Sequence, residues 1–166
     1  SLGLVRSETW LKNNIALIGD SCHATVPFYG QGMNCGFEDC YLLNKSINDC
    51  NSFDKFKSTL NSFLKERKED TDAMQELSLY NFIVMRDKTA DKNFLLQKKI
   101  EAKFSEKYPS KWIPLYSMVS FSDIKYSDAL KIGEKQNSIM KKVMKTPNID
   151  TQWASEKVEE LILSYL

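Results

Sequence analysis

Between Ile15 and Cys40 the chain reads Ile-Ala-Leu-Ile-Gly-Asp-Ser-Cys-His-Ala-Thr-Val-Pro-Phe-Tyr-Gly-Gln-Gly-Met-Asn-Cys-Gly-Phe-Glu-Asp-Cys. A short apolar run ends in Gly19-Asp20. A loop containing Pro27 and Phe28 carries Gly30 and Gly32, and it opens directly into a helical pattern. A carboxylate such as Asp20 accepts hydrogen bonds from ligand hydroxyls, those of a sugar for instance. Alone, it reads first as a turn or cap aspartate. Gly30 and Gly32 permit positive φ or close approach of a flat ligand to the backbone, and equally suit an ordinary loop-to-helix turn. Met33 and Asn34 fall where the helix begins. Their amide N–H groups lack intrahelical acceptors and can meet an electron-rich oxygen, while the positive end of the helix favours charge developing there. In this order the elements suit a large, polar, partly anionic cofactor. His23 has no partner nearby in sequence and reads as a turn histidine rather than a general base.

The corner must be held by the elements around it. Residues 1–7 read as a short strand, 10–14 as a polar turn and 15–18 as a buried strand. Over 33–48, apolar Phe37, Cys40, Tyr41, Leu43 and Ile47 follow the 3.6 period. Asn51-Ser52 can cap a further helix with a stripe of Phe53, Phe56, Leu60, Phe63 and Leu64. The acidic stretch 69–72 predicts a break. Residues 73–104 contain no Gly or Pro and predict one long helix or two joined ones. Pro109 and Pro114 bracket a loop with Trp112 and Ile113, and 115–121 fits either an extended segment or a helical turn. Residues 126–145 read as a helix despite Gly133, with Ser127 as a cap, and 146–148 as a break. Residues 151–166 read as a final amphipathic helix. The expected fold is α+β but mostly α: one or two strands at the front and about five helices behind.

The 166 residues suffice for an ordinary core, with 42% hydrophobic and 27% charged residues. A formal net charge of +1 offers no field for nucleic acid, and no basic–aromatic interleaving is present. Four cysteines without a C-x-x-C pair, beside a single histidine, argue against a metal site and for reduced thiols packed as small hydrophobes. Neither a signal peptide nor an apolar run of about 20 residues is visible. The chain begins at Ser1 inside what reads as a strand, and two strands do not make an independent sheet. It therefore reads as part of a longer protein.

Gly19-Asp20, His23, Pro27 and Gly30-Gln-Gly-Met-Asn34, followed by Gly36-Phe-Glu-Asp39, resemble the second FAD fingerprint of the aromatic-ring flavin monooxygenases. The variant Val26-Pro-Phe-Tyr-Gly-Gln-Gly-Met-Asn34 resembles the kynurenine-hydroxylating branch in particular. The likeness continues from Leu77 to Arg86 and again from Ile113 to Phe121, and it fades after Lys131. It implies an FAD-binding α/β domain of which residues 1–50 supply the last part, and a helical region, 51–166, that packs on it and lines a substrate pocket. Asp20 would hold the sugar portion of FAD, Met33 and Asn34 would bring backbone N–H groups to the pyrimidine edge of the flavin, and the helix beginning near Gly32, itself a cofactor-binding position, would stabilise charge on the ring. Pro27, Phe28 and Gly30 would line the substrate side of the ring. Asn81 and Tyr116 would hold the amino-acid end of L-kynurenine, with Met85 facing the same cavity.

The same resemblance implies NADPH as reductant, O2 as co-substrate and a flavin hydroperoxide as the hydroxylating species. No side chain of the chain is then needed as a catalytic acid or base. Peripheral contact with the mitochondrial outer membrane is a family trait. The last helix could supply it, or could pack its apolar face on the parent domain. The chain departs from the family pattern at Ser21-Cys22 and at Tyr29. It also lacks the G-x-G-x-x-G dinucleotide fold, the substrate-carboxylate arginine and the sheet that roofs the site. Another FAD-dependent aromatic hydroxylase, or a non-catalytic helical interaction module derived from one, are the alternative readings.

Overall fold

A computed structural model describes residues 3–48 and 50–166. The chain forms two compact units, Ser1–Asn81 with Lys125–Ser127, and Phe82–Ile124 with Asp128–Leu166. Among the described residues the only sheet is a two-stranded antiparallel hairpin, and helices make up most of the rest, in keeping with a mostly α fold.

In the first unit, β1 (Leu11–Lys12) pairs with β2 (Ile15–Ala16), Leu11 opposite Ala16 and Lys12 opposite Ile15. Asn13 makes the turn at φ 55°, a left-handed conformation that asparagine tolerates. The sequence predicts a polar turn over 10–14 and a buried strand over 15–18, and both expectations need correction. Trp10 is buried, whereas Ile15 is 70% exposed and the strand stops at Ala16. The run has only a two-residue partner here, so Ile15 and Ala16 stay exposed while Leu17 and Ile18 are half-buried. The strand expected over 1–7 is also absent from its described part, residues 3–7; Ser1 and Leu2 lie outside the described residues. Val5 and Ser7 instead donate their N–H groups to the carbonyls of Ala24 and Cys22, both at 3.0 Å.

Helix α1 (Asp20–His23) follows the hairpin, then α2 (Gly32–Ile47) and the 35-residue α3 (Phe53–Asp87). The Ser52 hydroxyl accepts the Lys55 N–H at 3.2 Å, so the expected cap is in place. The expected break at 69–72 does not occur. Asp70 accepts from Arg67 Nη1 at 3.1 Å and from the Ser127 N–H at 2.8 Å, and Asp72 meets Lys68 at 2.7 Å. With Asp70 and Asp72 paired, Glu69 exposed to solvent and no Gly or Pro present, nothing interrupts the backbone ladder. Trp10, Cys22, Phe63 and Leu64 form the core here, with Leu17, Leu42, Leu43 and Leu60 packed against it.

The face of α2 also differs from expectation. Phe37 and Tyr41 are 66% and 65% exposed, and Cys40 is exposed too, while Cys35 and Asp39 are buried. A polar requirement described below turns the helix.

In the second unit, α4 (Lys92–Lys107) starts at Asp91, whose carboxylate accepts the Phe94 N–H at 2.9 Å. Next come α5 (Leu115–Phe121) and α6 (Tyr126–Val143), whose first two residues belong to the first unit. Ser127 lies inside α6 and donates its N–H to Asp70, so it is not the cap. The single helix expected over 151–166 is two: α7 (Ile149–Gln152) and α8 (Glu156–Tyr165). Gly133 is needed where it stands. A Cβ there would lie 2.8 Å from Leu115 Cδ2, so its absence lets α5 pack on α6. Ile100, Phe104, Trp112, Ile139, Met140, Val143, Val158 and Ile162 form this unit's core. Glu159 of α8 bridges Lys103 and Lys107 of α4 at 3.0 and 2.5 Å. No helix of the described residues is long and apolar enough to cross a membrane.

Candidate functional site

Gly19 sits at φ 63° and Gly30 at φ 69°, where any residue with a Cβ would be strained. At both positions the space a Cβ would occupy is open, with no atom within 4 Å. Gly32 opens α2 close to Thr25, whose Cγ2 would lie 3.3 Å from an added Cβ. Gln31 stands at the cap position without a side-chain capping bond to the helix, and its Oε1 accepts from Asn34 Nδ2 at 2.9 Å. Asp20, Pro27, Gly30, Met33 and Asn34 are all exposed, Met33 at 71%, and Phe28 is half-buried. An exposed carboxylate, two bare glycine surfaces and an uncapped helix start are thus carried by the same unit. That donor and acceptor set fits a cofactor with sugar hydroxyls and a flat, oxygen-bearing ring.

Beneath this corner lies a buried polar network that no local sequence signal announced. Asp39 is fully buried. Its Oδ2 accepts the Gly19 N–H at 3.0 Å and His23 Nε2 at 2.6 Å, and its Oδ1 accepts Arg67 Nε at 2.6 Å. Arg67 reaches in from α3 and also donates to Asp70, to Glu38 at 2.7 Å and to the Cys35 carbonyl at 3.1 Å. His23, read from sequence as lacking a partner, has one sixteen residues away, and its ring stacks on Trp10 at 5.3 Å. Burial of this carboxylate is the reason α2 turns Asp39 inward and leaves Phe37 and Tyr41 outside. Asp39 was visible in the Gly36-Phe-Glu-Asp39 motif. Arg67 stands inside a Lys-Glu-Arg-Lys run, where nothing adjacent marks it as a buried partner.

Burial by itself would raise the Asp39 pKa, but hydrogen bonds from His23 and Arg67 outweigh it and hold the carboxyl below its ordinary 3.8. A depressed folded-state value contributes stability that is complete above pH 3.8 and is lost as pH falls through the lower folded value. Thermal unfolding from pH 7 downward is expected to show a steep acid limb, and Asp39→Asn to flatten it. An unchanged limb in the variant would refute the assignment. The Cys22 and Cys35 thiols are pushed up to about 11 and about 12, in each case chiefly by burial, and all four cysteines are free. His23, Cys35 and Asp39 have their ligand atoms within 4.8 Å of one another. Arg67 Nη2 lies 3.2 Å from Cys35 Sγ and its Nε is bonded to Asp39, so a fixed positive charge already engages two of the three groups.

Gln75 of α3 adds a second tie. Its Nε2 donates to the carbonyls of Val5 at 2.7 Å and Ala24 at 2.8 Å, and Arg6 Nε donates to its Oε1 at 2.9 Å. Asn81 ends the first unit and donates Nδ2 to the Phe28 carbonyl at 2.7 Å, so its amide supports the Pro27–Phe28 loop. Met85 and Tyr116 belong to the second unit, both 52% exposed, and Tyr116 meets Phe121 edge-on at 6.0 Å.

The first unit therefore carries a corner of the kind that nucleotide-derived cofactors occupy, and residues 5–77 match the protein family described as FAD binding domain. The chain is 53% identical over 154 residues to a kynurenine 3-monooxygenase of Christiangramia forsetii, and 54% identical over 155 residues to one of Flavobacterium johnsoniae. Each alignment covers 93% of this chain and 34% of the relative. A kynurenine 3-monooxygenase of Caenorhabditis briggsae is 38% identical over 81% of the chain. The chain is thus similar to kynurenine 3-monooxygenases over nearly all of its own length. It spans about a third of the length of these curated relatives.

Proposed function

We propose that this chain is part of an FAD-dependent monooxygenase that hydroxylates the ring of L-kynurenine to give 3-hydroxykynurenine. Identity of 53% and 54% over 93% of the chain with two proteins named for that reaction carries the reading. Residues 1–50 would complete the FAD-binding domain, and 51–166 the helical region against the substrate. When bound, FAD reduced by NADPH would activate O2 for the ring hydroxylation.

What remains for the chain is to bind, orient and exclude water. Asp20 accepts hydrogen bonds from the sugar hydroxyls of the cofactor. The Met33 and Asn34 N–H groups, with Gly32 keeping the backbone bare, meet the pyrimidine edge, where the helix dipole favours negative charge on the reduced ring. Pro27, Phe28 and Gly30 form an apolar, close-fitting surface on the substrate side that keeps water away. The family resemblance gives Asn81, in the first unit, and Met85 and Tyr116, in the second, roles toward kynurenine. Asn81 and Tyr116 are uncharged groups able to hydrogen-bond a zwitterion.

The test is made on the complete protein that carries this chain. It should purify with bound flavin, oxidise NADPH in response to L-kynurenine, and transfer one atom of labelled O2 to the product. NADPH oxidation driven by other aromatic rings but not by kynurenine would favour a different hydroxylase. Absence of flavin would favour a non-catalytic helical module.

A further inference from the structure

Resting on that reading, one feature of the first unit goes beyond the cofactor-binding positions. FAD spanning the corner would touch two separate elements: the Gly19-Asp20 turn at its sugar, and the first turn of α2 at its ring. These elements are more than ten residues apart in sequence, and no direct bond between the Gly19-Asp20 backbone and the α2 backbone is seen among the described residues. Asp39 is itself a residue of α2, so the tie between the two elements runs through its side chain, and Arg67 of α3 fixes that side chain relative to the first turn of the helix. Asp39 Oδ2 takes the Gly19 N–H at 3.0 Å, and Arg67 Nη2 takes the Cys35 carbonyl in the first turn of α2 at 3.1 Å. Arg67 Nε and Asp39 Oδ1 join the two halves at 2.6 Å.

We propose that Asp39 and Arg67 act as a positioning pair that sets the spacing between the Gly19-Asp20 turn and the start of α2 for FAD. Neither side chain touches the cofactor in this scheme: Asp39 is fully buried and Arg67 is 4% exposed. The pair acts through two backbone groups. The Arg67–Asp39 contact is a single charge-assisted bond, and the planar guanidinium suits the task because its other nitrogens hold Asp70, Glu38 and the Cys35 carbonyl in fixed directions at the same time. Arg67 is itself held in register by Asp70, which accepts from its Nη1, and Asp70 is anchored by the Ser127 N–H. His23 fixes the other lone pair of Asp39 Oδ2.

Asparagine at position 39 keeps the volume but cannot accept from both Gly19 and Arg67, because one of its two atoms becomes a donor. The test compares Asp39→Asn with Met74→Ala in the complete protein. Met74 is a fully buried α3 residue with no bond to the corner, so its loss serves as a purely structural lesion. FAD affinity is read by flavin fluorescence quenching, unfolding by circular dichroism, and the KM for L-kynurenine at saturating FAD. Asp39→Asn is expected to weaken FAD by about tenfold to a hundredfold, the range for groups that orient a binding shell, with KM changed by less than about twofold. Met74→Ala, at a similar loss of thermal stability, is expected to leave FAD affinity near wild type, and Arg67→Lys to fall between. If FAD affinity follows stability alike in both variants, the pair is structural and the proposal is overturned. If the wild-type complete protein binds no FAD, the functional reading fails, and the proposal with it.

Discussion

Replacing Asp39 by alanine is expected to destabilise the first unit by about 3–5 kcal/mol, the cost of breaking a buried ion pair from one side. The substitution strips the acceptor from three donors at once: the Gly19 N–H, His23 Nε2 and Arg67 Nε. Each is buried or half-buried, so water does not readily replace the carboxylate. Arg67 keeps Glu38 and Asp70 as partners, and this limits the loss relative to an isolated charge. Urea denaturation followed by far-ultraviolet circular dichroism measures it. A loss below about 1 kcal/mol, typical of an exposed salt bridge, would mean that water reaches the network. The effect should also be strongly non-additive with Arg67→Met, because the second change removes the charge that the first leaves unpaired.

Trp112→Ala should have a comparable effect on the second unit, about 3–5 kcal/mol for emptying an aromatic site in a packed core. Trp112 is 1% exposed, lies edge-on to Phe104 with ring centroids 5.7 Å apart, and sits in the cluster with Ile100, Ile139, Met140 and Val143. Its indole Nε1 is buried without a hydrogen-bond partner among the described residues. Trp112→Phe therefore removes an unsatisfied donor along with part of the ring. The cost of that donor, about 1–3 kcal/mol, offsets some of the lost packing, so the phenylalanine variant should lose less than about half of what the alanine variant loses. Equal losses in the two variants would show that the indole N–H has a partner after all.

How much of this was legible in the residues depended on the range of the interaction. The helix over 33–48, the Ser52 cap, the loop bracketed by Pro109 and Pro114 and the break at 146–148 rest on local periodicity, capping and φ restriction, and the structure has each within a residue or two. The failures are long-range. Residues 69–72 look like a break because four polar residues in a row suggest solvent. They stay helical because Arg67, Lys68 and Ser127 supply partners. Phe37 and Tyr41 look like a core face because they are apolar. They face outward because α2 must bury Asp39 instead.

The candidate site divides along the same line. The order of the chain alone specified Gly19-Asp20, the glycine loop and the helix that starts after Gln31, since positive φ, chain direction and unsatisfied first-turn N–H groups are properties of adjacent residues. The family likeness was legible there too. Only the tertiary structure decided what holds that corner in shape. A carboxylate at 39, a guanidinium at 67 and an imidazole at 23 have no mutual meaning along the chain, because charges pair through space. Once folding excludes water from them, leaving any one unpaired costs more than the helix gains by showing solvent a polar face.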